Sequence, residues 1–169
     1  MEGGRRSAAH LDMMQALIEQ GFSFSRIAGS SAGIIIGALY CQGIMPKEIL
    51  KILNSLNYFS FFRPAFNWQP LLKLEKVIHF LSIHLPVDDF SSLHTPLVIV
   101  ATDMKKGRIK YFKKVELCKL LIASCSIPVV FSPVKIKGVA YVDRGLLNNL
   151  PIETLKKNVI MWLVCIAIL

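Results

Sequence analysis

Acidic residues are scarce in this chain: eleven Asp and Glu stand against twenty Lys and Arg, giving a formal net charge of +9 over 169 residues. Three explanations are open for such an excess: an anionic membrane or acidic lipid, a nucleic acid, or a solvated basic face. No basic run is interleaved with aromatics, so no nucleic-acid partner is expected. Cysteine is also sparse. Cys41, Cys118, Cys125 and Cys165 lack metal-ligand spacing and sit in apolar stretches, which excludes a zinc module and predicts buried thiols in a reducing compartment. The N-terminus has no apolar h-region, so no secretory leader is expected. The apolar tail 159–169 is too short to span a bilayer as a helix and reads as a buried strand. No Gly-Lys-Ser/Thr occurs, which weakens any nucleotide-loop reading of Gly3-Gly4. Histidine stops early: His10, His79, His84 and His94 are the four, and none lies beyond residue 94.

What is abundant is apolar: 53% of residues are hydrophobic and the mean hydropathy is +0.50. That suits a sheet covered on both faces, whose strands read as continuous Val/Ile/Leu runs. Leu97-Val98-Ile99-Val100-Ala101 is such a run. Helical spacing predicts helices over 8–20, 46–56, 71–84 and 115–124, the second opened by Pro46. Short strands are expected over 24–28, 108–112 and 138–142, and Pro128 and Pro133 bracket a loop. The aromatic stretch 58–68 is either an acyl-binding lid or plain core. Alternating strands and helices predict one α/β domain over 1–169, a three-layer sandwich with a mainly parallel central sheet flanked by helices.

Gly29-Ser30-Ser31-Ala32-Gly33 carries the chemistry. It reads Gly-x-Ser-x-Gly, with a β-prone run before it and the apolar run Ile34–Tyr40 after it. A serine on a tight strand-to-helix turn is held in strained geometry with its hydroxyl projecting, and small neighbours let the backbone fold. The alternative is a glycine-rich turn that happens to contain serine. Such a hydroxyl needs a base. The order Ser, acid, His is closed if the acid is Asp103 or Asp143, because no histidine follows either. Asp143, ending the strand Ala140-Tyr141-Val142, is a candidate to act directly as base; its other reading is an Asx-turn residue. Asp103, followed by Lys105 and Lys106, reads as an ordinary turn residue. A Ser–His arrangement using His10 or another upstream histidine remains open. Backbone amides of the glycine loop Gly3-Gly4-Arg5-Arg6-Ser7, before the first helix, are placed to hold an oxyanion; the alternative, which position alone favours, is a disordered N-terminal tail.

Taken in order, these segments resemble the patatin-like phospholipase family, whose pattern is a Gly-Gly-Gly-x-Arg/Lys-Gly loop, then Gly-x-Ser-x-Gly, then Asp-Gly-Gly/Ala. Glu2-Gly3-Gly4-Arg5-Arg6-Ser7 matches the first in part, Gly29–Gly33 the second fully, and Asp143-Arg144-Gly145 resembles the third. Ala101-Thr102-Asp103 and 123–131 also resemble family segments. The resemblance implies a Ser31 nucleophile and an Asp143 general base, with no histidine, metal or cofactor. It implies an oxyanion hole at Gly3, Gly4 and Arg5, supported by Arg6, Gly29, Ala32, Gly33 and Gly145. The sequence departs from the pattern at Glu2, Ser7 and Arg144. It begins at the glycine loop, so the domain is expected to lack its first strand and to be cut short at both ends. Hydrolysis of a phospholipid or other lipid ester is expected, in the cytoplasm and peripheral to a membrane. The alternative is a catalytically impaired relative that binds lipid or membrane surfaces.

Overall fold

The computed structural model describes residues 2–55, 70–114, 116–126 and 133–143; the side chains of 2–8, 32 and 70–76 are outside that description. The aromatic stretch 58–68, most of 123–131 beyond Ser126, Arg144, Gly145 and the apolar tail therefore lie outside the described residues.

The elements in chain order are α1 (Glu2–Glu19), β1 (Ile27–Gly29), α2 (Ser31–Cys41), α3 (Pro46–Ser55), α4 (Pro70–His84), β2 (Leu97–Asp103), β3 (Arg108–Phe112), α5 (Leu117–Cys125), β4 (Val134–Ile136) and β5 (Val139–Val142). Helix α1 ends at Gly21, where the Phe22 amide bonds back to the Leu17 carbonyl at 3.0 Å and the Gly21 amide to Ile18 at 2.9 Å, a Schellman turn. Helix α3 starts on Pro46, whose missing N–H would be unpaired there anyway, and buries Pro46, Ile49 and Leu53 along one stripe. Helix α2 is apolar almost all round. Ile34, Ile35, Ala38, Leu39 and Cys41 have no exposed surface, which identifies it as the central helix of the core.

Every residue of β2 is buried, as its continuous apolar run requires. The strand is the hub of the sheet, whose path runs β1-β2-β5-β4 with β3 also on β2. Strand β1 pairs with β2 in parallel, while β3 and β5 pair with β2, and β4 with β5, antiparallel. The α/β expectation holds; among the described residues the sheet is mixed, with one parallel and three antiparallel pairings. The reason is connection length. The β1-to-β2 crossover carries helices, as a parallel pair needs. The β2–β3 and β4–β5 connections are tight turns, Met104–Gly107 and Lys137–Gly138, which can only join antiparallel neighbours. Strand β4 follows the Pro128–Pro133 segment where no element was predicted; three residues with a central lysine are too few to show an alternating pattern.

Two glycines of α2 sit in contrasting surroundings. A Cβ at Gly37 would lie 2.8 Å from Ile27 Cγ2, so the bare backbone is what lets α2 press against β1. At Gly33 a Cβ would meet nothing within 4 Å among the described residues. Helix propensity favours Ala over Gly by about 1 kcal/mol, whereas overpacking costs about 1–3 kcal/mol. Gly37→Ala is therefore expected to destabilise the fold and Gly33→Ala to stabilise it, as read from urea midpoints of the two variants against the parent. Equal shifts in both would contradict this packing.

Candidate active site

Strand β1 delivers the serine motif. Ser30 is extended (φ −144, ψ 168) and caps α2 without a side-chain hydrogen bond. Ser31, the first residue of α2, has φ +57. A non-glycine residue in that left-handed region costs on the order of 1–3 kcal/mol and persists only where its surroundings over-determine it. The Ser31 amide donates to Ser124 Oγ at 3.2 Å. Its own hydroxyl is buried and has no hydrogen-bond partner among the described residues. The strained strand-to-helix elbow is the one the motif predicts, but the hydroxyl is buried there rather than projecting.

Asp143 follows β5 directly and is 6% exposed. Two pairing registers bring it towards the serine. Gly29, the last residue of β1, pairs with Ile99; Val142, the last of β5, pairs with Thr102. Ile99 and Thr102 also pair with β3 on their other edge, so β1 and β5 share a single edge of β2. The two strands run in opposite directions and meet end to end, with only Val100 and Ala101 between their pairings. Ser31 and Asp143 follow on those two ends.

Helix α5 closes the gap. Ser124 is fully buried and donates its hydroxyl to the Val100 carbonyl at 2.8 Å while accepting from the Ser31 amide. Two residues on, the Ser126 carbonyl accepts from the Asp143 amide at 2.9 Å, and the Ser126 hydroxyl donates to the Ile122 carbonyl at 2.8 Å. Between them, Cys125 is buried. Its thiol is pushed well above its ordinary pKa, first by burial and then by the Asp143 charge, so it is neutral. Ser124 and Ser126 escaped the sequence reading. The available signal was a serine within the apolar helix Leu117–Cys125, since a buried hydroxyl must find a partner.

The other expected groups fall differently. Asp103 accepts from the amides of Lys105 and Lys106, both at 3.0 Å, and is the turn residue its context suggested. Neither a histidine nor the Asp143 carboxylate hydrogen-bonds the Ser31 hydroxyl; His84 Nδ1 faces the Phe80 carbonyl at 2.9 Å, and burial lowers the His10 pKa. Gly3, Gly4 and Arg5 are in the first turn of α1 rather than in a loop before it. Arg5, Arg6, Ala8 and Ala9 accept helical geometry, and the glycine penalty is confined to the end turn. The amides ahead of the first i to i−4 bond have no intrahelical acceptor, so Gly3 and Gly4, though not Arg5, keep the donor character wanted of an anion site.

Ser124→Ala leaves both the Ser31 amide and the Val100 carbonyl without their shared partner. The expected cost is about 1–3 kcal/mol in unfolding free energy, measured by urea denaturation, because both groups are buried. A change within about 0.5 kcal/mol, typical of surface sites, would show that the bridge adds nothing.

A family model described as patatin-like phospholipase matches residues 3–156. An uncharacterized NTE family protein of Mycobacterium tuberculosis is 30% identical over 151 residues, covering 88% of this chain and 42% of its own. A lysophospholipase, NTE1, of Cryptococcus neoformans is 24% identical over 92% of this chain and 10% of its own. An omega-hydroxyceramide transacylase of Mus musculus is 32% identical over 75% of this chain and 22% of its own. This chain thus spans under half the length of the mycobacterial relative. Among solved structures, VipD from Legionella pneumophila superposes with a TM-score of 0.64 at 14% identity, covering 86% of this chain and 45% of its own. With the fold, the Gly-x-Ser-x-Gly elbow and the family match in agreement, this chain belongs to the patatin-like phospholipase family.

Proposed function

We propose that the protein is a serine acyl hydrolase that cleaves phospholipid or other lipid esters with a Ser31–Asp143 dyad. One observation carries the reading: Ser31 sits at φ +57 with a buried, unpartnered hydroxyl, beside the strand end that carries Asp143. The names of the fungal lysophospholipase and the murine transacylase support acyl chemistry on lipids.

In this mechanism the Asp143 carboxylate takes the Ser31 proton as the Ser31 oxygen attacks the ester carbonyl. The oxyanion that forms is held by backbone amides, from the first turn of α1 at Gly3 and Gly4 and from the residue after the nucleophile, Ala32. The ester C–O bond then breaks, the leaving alkoxide takes the proton from Asp143, and an acyl group stays on Ser31. Water attacks that acyl-enzyme with Asp143 again as base, releasing the fatty acid and restoring both side chains. A carboxylate acting directly as base needs no histidine, in keeping with a chain that has none beyond residue 94. The described cysteines, Cys41, Cys118 and Cys125, are free thiols, in keeping with a reducing, cytoplasmic setting.

Fluorophosphonate labelling of the folded protein tests the serine, with Ser31→Ala as control. Labelling is expected in the parent alone. Turnover of a lipid ester should fall on the order of 10⁴-fold or more in both Ser31→Ala and Asp143→Asn, as for other nucleophile and base deletions. Retained turnover in Asp143→Asn would sink the dyad and return the base to a histidine. A folded parent that takes no label would favour the catalytically impaired, lipid-binding relative.

A further inference from the structure

Two tight turns meet at one end of the sheet, and both are basic. The β2–β3 turn carries exposed Met104, Lys105 and Lys106, with exposed Arg108 opening β3. The β4–β5 turn carries exposed Lys137, with exposed Lys135 two residues before it. The turns are in contact: the Met104 amide donates to the Ala140 carbonyl at 3.0 Å, and Tyr141 pairs with Asp103. Five cations therefore crowd one edge of the molecule. The acid among them is spent, because Asp103 is buried and its carboxylate accepts the Lys105 and Lys106 amides. None of the five enters an ion pair among the described residues.

Lys137 is retained against local preference. It sits at φ +48 and Gly138 at φ +80, the two central positions of a type I′ hairpin turn, where Asn, Asp or Gly is the usual first residue. In the same turn as Lys105 and Lys106, Met104 is 51% exposed. An apolar tip ringed by lysines suits the boundary between lipid head groups and acyl chains. A nucleic-acid reader wants aromatic or amide side chains among the cations, and residues 104–108 and 135–138 contain none. The patch lies on the side to which β1 points as it delivers Ser31. It is separated from Asp143 by the four residues of β5, roughly 13 Å at about 3.3 Å per residue.

We propose that these two turns form a docking rim for an anionic membrane surface, which sets the Ser31 end of the sheet against the bilayer. The choice of lipid as occupant deepens the hydrolase reading, but docking itself does not require turnover. Anionic head groups attract Lys105, Lys106, Arg108, Lys135 and Lys137, and Met104 enters the head-group boundary.

Co-sedimentation with phosphatidylcholine vesicles, with and without phosphatidylserine, tests this. The parent should partition onto the anionic vesicles only, and less so as salt is raised. Each lysine near such a surface is worth roughly fivefold in partitioning. Lys105→Gln with Lys137→Asn should therefore weaken binding roughly thirtyfold, although asparagine suits the Lys137 backbone better than lysine does. Arg26→Gln with Lys51→Gln removes the same charge from exposed positions away from the rim and should weaken binding only a few-fold. Equal weakening by the two pairs would overturn the rim, as would no vesicle binding by the parent. Loss of double-stranded DNA binding with vesicle binding intact would overturn it too, in favour of a nucleic-acid surface. Fluorophosphonate labelling of Ser31 should be unchanged in the rim variant, so docking and catalysis fail separately.

Discussion

The candidate site depends on one edge of one strand. Strand β2 offers a single length of backbone to two partners. Strand β1 takes Leu97–Ile99 in parallel and β5 takes Thr102 and Asp103 from the opposite direction. Strands of opposite sense cannot merge, so both stop and the chain turns away at each. Those two departures are the places where Ser31 and Asp143 stand. Burial of every residue of β2 makes the strand stiff enough to hold both ends in register.

The interval this leaves on β2 would expose a buried carbonyl at Val100. The Ser124 hydroxyl fills it at 2.8 Å and uses its acceptor side on the Ser31 amide at 3.2 Å. One side chain thus satisfies the sheet and grips the elbow. The balance is a close one. Left-handed backbone at Ser31 costs on the order of 1–3 kcal/mol, while two hydrogen bonds contribute about 1 kcal/mol each. The remainder comes from burial of α2, whose apolar residues lock the helix behind the elbow at Gly37. Strain is held at the serine because both sides of it are fastened.

Much of this was legible in the residues. The Gly29–Gly33 turn announced an elbow because its glycines, its serine and its apolar continuation each demand the same geometry. Strand β2 was legible as an unbroken apolar run, α3 from its proline start and inward stripe, and Asp103 as a turn residue from the lysines after it. The rest was hidden for identifiable reasons. Strand β4 is three residues long and depends on its neighbour for its hydrogen bonds. The start of α1 was obscured by Gly3 and Gly4, which signal a loop but tolerate a first helical turn. The mixed sheet followed from two tight turns, whereas the alternation of strands and helices and the apolar content suggested parallel strands.

Local sequence settled the conformations that depend on neighbours along the chain: the serine elbow, the central helix, the buried strand and the asparaginyl-type turn at Asp103. Sidedness and convergence were a matter for the folded molecule. Nothing in residues 117–126 says that Ser124 reaches a strand 24 residues earlier, or that two hairpin turns 30 residues apart form one basic rim. Those relations rest on which edge of β2 each strand occupies. Register is selected by packing both faces of the sheet at once, and that selection exists only when the whole core has assembled.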